Sequence, residues 1–200
     1  MKHSRVLLGA VAAVVAMGVS IALDPWVWRQ VALDGIHDRD WGRLLRVTGS
    51  LVFWFPLAVA VRLAFRRSDS ERPGRAWLLL IGPALAGGVG ELLKLLVRRE
   101  RPAFADGAYV FRAFAERTWS TTALGFPSSH VMVAFGGAAI LARLFPGTAP
   151  VAYLLAAGCA LTRVLARAHF LSDVVGAALA GWLVGALVWR GFSRISSHSR

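Results

Sequence analysis

The sequence predicts an all-α polytopic membrane protein, a bundle of six transmembrane helices. Three observations predict it. Hydrophobic residues make up 56% of the 200-residue chain, whereas soluble domains hold about 45–50%. Mean hydropathy is +0.57. The apolar residues are gathered into long runs, several of them near the length that crosses a bilayer as a helix, about 20 residues.

The runs follow in order. The first, Val6 to Leu23, carries no charge. With Lys2 and Arg5 ahead of it, it also fits a signal peptide, with Ser20-Ile21-Ala22 as the cleavage site. Its length and lack of charge favour an uncleaved first helix. The second runs from Val47 to Phe65, broken by Pro56 and Arg62. The third, Ala76 to Val97, contains Glu91 and Lys94. The fourth spans Val131–Phe145, the fifth Ala149–Val164 and the sixth Val174–Val188. Six such helices occupy most of residues 1–200, which leaves one membrane domain and a basic cytoplasmic tail from about 190 to 200. Gly87, Gly88 and Gly90 in the third run, and Gly181 and Gly185 in the sixth, suit close helix packing in lipid. Between Arg98 and Ser129, Phe104, Tyr109, Phe111, Phe114 and Trp119 stand among charges. That mixture fits either a segment at the lipid–water boundary or an ordinary loop with aromatic anchors.

The net charge is +12. Such a balance attracts nucleic acid, anionic lipid or an anionic substrate. The basic residues are scattered between apolar runs without a nucleic-acid motif, so nucleic acid is excluded as a partner. An arginine-rich genome accounts for Lys2 and Lys94 being the only lysines. The single cysteine, Cys159, permits neither an internal disulfide nor a cysteine metal cluster, and reads as a small buried apolar residue. The purely basic N-tail and the arginine-dense Arg62–Arg75 connection place both termini in the cytoplasm.

Charged residues in or beside apolar helices are expensive and therefore mark function. Lys94 and Arg101 lie about two turns apart and would share a face if the helix continued, although Pro102 biases Arg101 away from helical geometry. Two fixed cations at a helix end suit a phosphate. Arg98 and Arg99 read instead as side chains snorkelling to the interface, and Glu91, one turn from Lys94, as its local ion-pair partner. In Phe126-Pro127-Ser128-Ser129-His130, the serines offer hydroxyls and backbone N–H groups at a helix N-terminus, and His130 is placed to exchange a proton. In the stretch from Thr162 to Asp173, Arg163 adds a cation. His169 and Asp173 are four apart, so a carboxylate there can hold one imidazole nitrogen and make the other more nucleophilic. An up-and-down bundle brings all three clusters to one membrane face.

The ordered pattern K-x6-R-P, P-S-x-H and R-x5-H-x3-D over residues 94–173 resembles the type-2 phosphatidic acid phosphatase family, which shares its core with vanadium haloperoxidases. Ser129 stands where the family usually has glycine, and Thr162 where it usually has serine. The resemblance implies an integral-membrane lipid phosphatase that works without metal or other cofactor. It makes His169 the nucleophile that forms a phosphohistidine, Asp173 its orienting carboxylate, and His130 the acid that protonates the leaving oxygen. Lys94, Arg101, Ser128, Ser129 and Arg163 would bind the phosphate. The substrate would be a phosphorylated membrane lipid of the undecaprenyl diphosphate, phosphatidylglycerol phosphate, phosphatidic acid or lipid A class. With both termini inside, the site faces the periplasm or cell exterior of the inner membrane. The same intermediate would also serve a lipid phosphotransferase, which the motifs do not separate. A binding or transport protein would have lost a catalytic position, and none is lost; haloperoxidases are soluble, unlike this chain.

Overall fold

The computed structural model describes residues 2–67 and 72–198. Residues 68–71 of the arginine-dense connection and the tail residues 199–200 lie outside the described part. The elements are α1 (Lys2–Gln30), α2 (Asp40–Val47), α3 (Leu51–Ala64), the one-turn α4 (Arg72–Arg75), α5 (Leu78–Val97), α6 (Ser129–Leu144), α7 (Ala149–Leu165) and α8 (Leu171–His198). No strand occurs among the described residues; the nearest approach is two isolated antiparallel bridges, Arg99 with Phe111 and Glu100 with Leu124.

Four helices are long and apolar enough to cross a membrane: α1, α5, α7 with the turn before it, and α8. The second expected span, Val47 to Phe65, holds α3; the unexpected α2 precedes it and meets it at an angle of 67°, and counted as one broken span the pair makes a fifth. The fourth expected helix exists as α6, but its 16 residues are short for a crossing. Its role follows from what covers it. Nearly every α6 side chain from Val131 to Ile140 is buried, which is how a helix that is apolar all round must sit. It packs on α5, α7 and α8.

Close approach depends on the glycines. A Cβ on Gly181 would lie 2.5 Å from the Met132 carbonyl, and one on Gly185 would lie 2.6 Å from that of Gly136. Gly90 and Gly87 similarly meet Met132 Sδ at 2.8 Å and Val133 at 2.9 Å. Gly88, in contrast, has nothing within 4 Å and no packing role. The first helix is the opposite case. Only 6% of its apolar window is buried, as expected for a surface that faces lipid. It runs unbroken through Pro25 and packs its C-terminal half on α8.

Candidate active site

α5 ends at Val97, four residues before Arg101. Arg98 closes it in the left-handed conformation (φ 58°), its N–H bonded to the Lys94 carbonyl. Lys94 and Arg101 therefore do not share a helical face. Arg101 sits in extended backbone (φ −68°, ψ 145°), as Pro102 dictates, and the returning loop brings it to the site.

That loop is folded by buried arginines, so Arg98 and Arg99 do not snorkel. Arg98 is 1% exposed and donates to the carbonyls of Arg112 (3.1 Å), Ala113 (2.8 Å), Thr118 (3.3 Å) and Glu116. Arg112 donates to Glu100 Oε1 (3.0 Å) and the Thr122 carbonyl (2.9 Å). Backbone that lacks helix or sheet partners must find others, and here two guanidinium groups supply them. Phe104, Phe111, Phe114 and Trp119 stay exposed on its surface.

Arg99 reaches into the site. Its Nε donates to Asp173 Oδ1 (3.1 Å), and its Nη2 donates to Asp173 and to Ser172 Oγ (2.8 Å). Tyr109, Phe126 and Phe170 surround its guanidinium, at 5.0, 5.0 and 5.2 Å, a cation–π cage. Behind it, the buried Asp24 of α1 accepts from the Ser172 N–H (2.9 Å), the Ser172 hydroxyl and the Tyr109 hydroxyl. Asp24 was legible in principle as the lone carboxylate at the end of the first apolar run.

His169 precedes α8 and does not lie on it. Its Nδ1 lies 3.0 Å from the Gly125 carbonyl and 3.6 Å from Asp173 Oδ2. The carbonyl fixes the tautomer, with Nδ1–H donating, and the carboxylate supplies negative charge from just beyond hydrogen-bond reach. Asp173 Oδ2 is itself held by the Phe170 N–H at 2.9 Å. A side chain on Gly125 would enter this space, since its Cβ would lie 3.0 Å from Asp173 Oδ2 and 3.3 Å from Arg101 Cα. This arrangement leaves Nε2 with its lone pair. Burial, then the charges of Arg163 and Arg101, lower the His169 pKa from its ordinary 6.5 to about 4, against the pull of Asp173. The imidazole is therefore neutral at physiological pH, the state a nucleophile needs.

The remaining residues converge on it. Ser128 caps α6, with its N–H on the Asp173 carbonyl (3.2 Å). His130 lies in the first turn of α6, within range of the charges of Arg163 and Lys94 and of His169. Arg163, on the last turn of α7, donates from Nη1 to His37 Nε2 (3.2 Å). Lys94 pairs with Glu91 as expected, Nζ to Oε1 at 2.8 Å. Ser129, the residue that departs from glycine, donates its hydroxyl to the same Glu91 oxygen, so its side chain extends the Lys94–Glu91 pair. Ser128 Oγ, Arg101 Nε and Arg163 Nε are buried without a hydrogen-bond partner among the described residues. Unpaired buried donors are costly, and hydroxyl and guanidinium groups are of the kind that an anion satisfies.

A family model, the PAP2 superfamily, matches residues 75–197, a stretch that contains every one of these groups except Asp24 and His37. The chain belongs to the PAP2 superfamily. Among its relatives, the decaprenylphosphoryl-5-phosphoribose phosphatase of Mycobacterium tuberculosis (strain CDC 1551 / Oshkosh) is 34% identical over 137 residues, covering 68% of this chain and 69% of the relative. The protein of the same name from Mycolicibacterium smegmatis is 34% identical over 123 residues, 61% of each chain. In fold, this PAP2 protein is similar to the crystal structure of the first transmembrane PAP2-type phosphatidylglycerolphosphate phosphatase from Bacillus subtilis, with a TM-score of 0.55, 21% identity, and coverage of 96% and 94%. It is a PAP2-type phosphatase with the apolar helices of a multi-pass membrane protein.

Proposed function

We propose that the chain hydrolyses a phosphate mono- or diphosphate ester of a membrane lipid through a phosphohistidine, without a metal. The observation that carries this reading is His169: neutral, fixed through Nδ1 by the Gly125 carbonyl, and set beside Arg101 and Arg163. Nε2 attacks phosphorus and a P–N bond forms. The P–O bond to the lipid breaks, and its electron pair leaves on the oxygen, which takes a proton from His130; the negative charge of the bound phosphate, offsetting the nearby Arg163 and Lys94, is what lets His130 carry that proton. Lys94, Arg101 and Arg163, with Ser128, Ser129 and the α6 N-terminus, hold the oxygens as negative charge develops. Water then attacks the phosphohistidine, giving its proton to His130. The P–N bond breaks, the pair returns to Nε2, and inorganic phosphate leaves.

The relatives' names favour a polyprenyl-linked sugar phosphate over a glycerolipid as substrate. The broken α2–α3 pair and the short α6 would complete six crossings. The end of the bundle away from the site holds Arg62, Arg143 and Arg190 at or near the C-terminal ends of α3, α6 and α8. On the positive-inside rule that end is cytoplasmic, and the site faces outward from the inner membrane.

Phosphate release from a panel of lipid phosphates, with and without chelator, tests the reading. Release that persists in chelator, abolition by His169→Ala, and an acid-labile ³²P label on the wild type but not on this variant are expected. Chelator-sensitive release, or full activity in His169→Ala, would overturn the mechanism.

A further inference from the structure

The motifs leave one part of the site unused. The corner between α2 and α3 is pressed against the start of α6: a Cβ on Gly49 would lie 2.6 Å from the His130 carbonyl and 2.8 Å from Cys159 Sγ. The corner is fixed by the Trp54 indole N–H on the Thr48 carbonyl (2.8 Å) and by the Thr48 hydroxyl on the Leu45 carbonyl (2.7 Å). It opens an exposed hollow of about 320 Å³ lined by Arg43, Arg46, Val47, Ser50 and His130.

Arg43 and Arg46 are one turn apart on α2 and so share a face. Arg43 is anchored, donating to the Asp38 carbonyl (2.8 Å) and lying 3.7 Å from Asp40. The Arg46 side chain has no hydrogen-bond or ion-pair partner among the described residues, yet its charge is felt by His130, Arg163 and His37 alike. Arg46 is exposed and solvated, so its charge is free to meet an anion that enters the hollow. The hollow opens on His130, the group that would protonate the leaving oxygen. A group carried on that oxygen and entering the hollow would lie along Arg46 and Arg43.

We infer that Arg46 and Arg43 form a second anion subsite, which takes a further phosphoryl group on the leaving side of the scissile bond. The inference rests on the proposed phosphatase reading and narrows its substrate to lipids with two phosphoryl groups. These are either a diphosphate or a phosphomonoester joined through a sugar or polyol to a lipid phosphodiester.

The test compares kcat/KM on three substrates with one prenyl chain: the monophosphate, the diphosphate, and a phosphodiester-linked sugar with a distal phosphomonoester. Wild type, Arg46→Ala, Arg43→Ala and Arg46→Lys are measured in the same detergent. Removing the charge-assisted hydrogen bonds of Arg46 should lower the bisphosphorylated-over-monophosphate selectivity by about tenfold or more, with partial rescue in Arg46→Lys. Which of the two bisphosphorylated arms carries the loss identifies the spacing. Methylenebisphosphonate should likewise lose its advantage over inorganic phosphate as a competitive inhibitor in Arg46→Ala, and this readout needs no turnover. Equal losses on all three substrates, or unchanged selectivity and inhibition, would overturn the subsite while leaving the phosphatase reading intact. No release from any substrate by wild type would overturn both.

Discussion

Arg99 offers the sharpest test of how the site is built. It is 6% exposed, and Asp173, its partner, is not exposed at all. The guanidinium makes the Nε and Nη2 contacts to one carboxylate and a third hydrogen bond to Ser172. Replacing it with methionine keeps the bulk among the three rings but strands a buried carboxylate. Removing one partner of a buried pair costs about 3–5 kcal/mol. Because Asp173 faces the His169 ring at 3.6 Å, the loss also reaches the proposed nucleophile, and kcat should fall roughly 10–100-fold, as it does when orienting groups are removed elsewhere. Arg99→Lys keeps the charge without the two-pronged geometry and should fall between. The assay is denaturant unfolding of the detergent-solubilised protein together with phosphate release, completed by a double-mutant cycle with Asp173→Asn. Asparagine removes the stranded charge, so the double variant should lose less than the sum of the singles. Additive losses, or an Arg99→Met protein within about 1 kcal/mol of wild type, would show that the pair contributes no more than a surface ion pair and would refute the reasoning.

Three more expectations follow from the same geometry. Ser129→Gly restores the family's usual residue but removes the hydroxyl that holds Glu91 against Lys94; at the net worth of one hydrogen bond, about 0.5–1.5 kcal/mol, kcat/KM should fall a few-fold, and a gain in activity would contradict the assigned contact. ¹⁵N-histidine NMR titration should place the His169 midpoint near 4; the cation Arg101 lowers that value, so Arg101→Gln should move the midpoint up, and a wild-type midpoint at 6.5 or a downward move would count against it. Gly181→Ala should lower stability by about 1–3 kcal/mol through overpacking on Met132, whereas Gly88→Ala should be neutral or gain up to about 1 kcal/mol of helix propensity; equal thermal shifts in the two would refute the packing account.

The spans that sequence reads best are those whose character is uniform. α5 and α7 appear within a few residues of the expected ends because their apolar runs stop where polar residues begin. α8 starts three residues early and continues to His198, since a helix does not end where hydrophobicity does. α2 escapes notice because Asp40, Arg43 and Arg46 make it polar, and the 67° corner after it depends on Trp54 finding the Thr48 carbonyl, a tertiary contact. The motif residues were legible by spacing, and they do converge. The manner of convergence was not, because neither Lys94 with Arg101 nor His169 with Asp173 meets along one helix; α5 ends at Val97, before Arg101, and α8 begins at Leu171, after His169. Hydropathy sees only that an arginine is charged, and gives no sign whether it snorkels or is buried against a carboxylate, which is why hydropathy misplaces Arg99.

What separates the arginines is their compensation, and this sorts structure from function more finely than burial does. Arg98, Arg99 and Arg112 are buried with their donors spent on carbonyls and on the carboxylates of Asp173 and Glu100. They are the frame. Arg101 and Arg163 are close enough for their charges to oppose each other, each keeps a buried Nε unpaired, and neither has a carboxylate partner among the described residues. Like charges gathered at low dielectric repel, so a fold selected for stability alone would have given these cations carboxylates, as it gave Asp173 to Arg99. It left them bare around a neutral histidine instead. Only a bound anion relieves that repulsion, and the relief is greatest when the anion gains charge, as a phosphoryl group does on the way to its transition state. The missing carboxylates, more than the cations themselves, make this a site for phosphate chemistry.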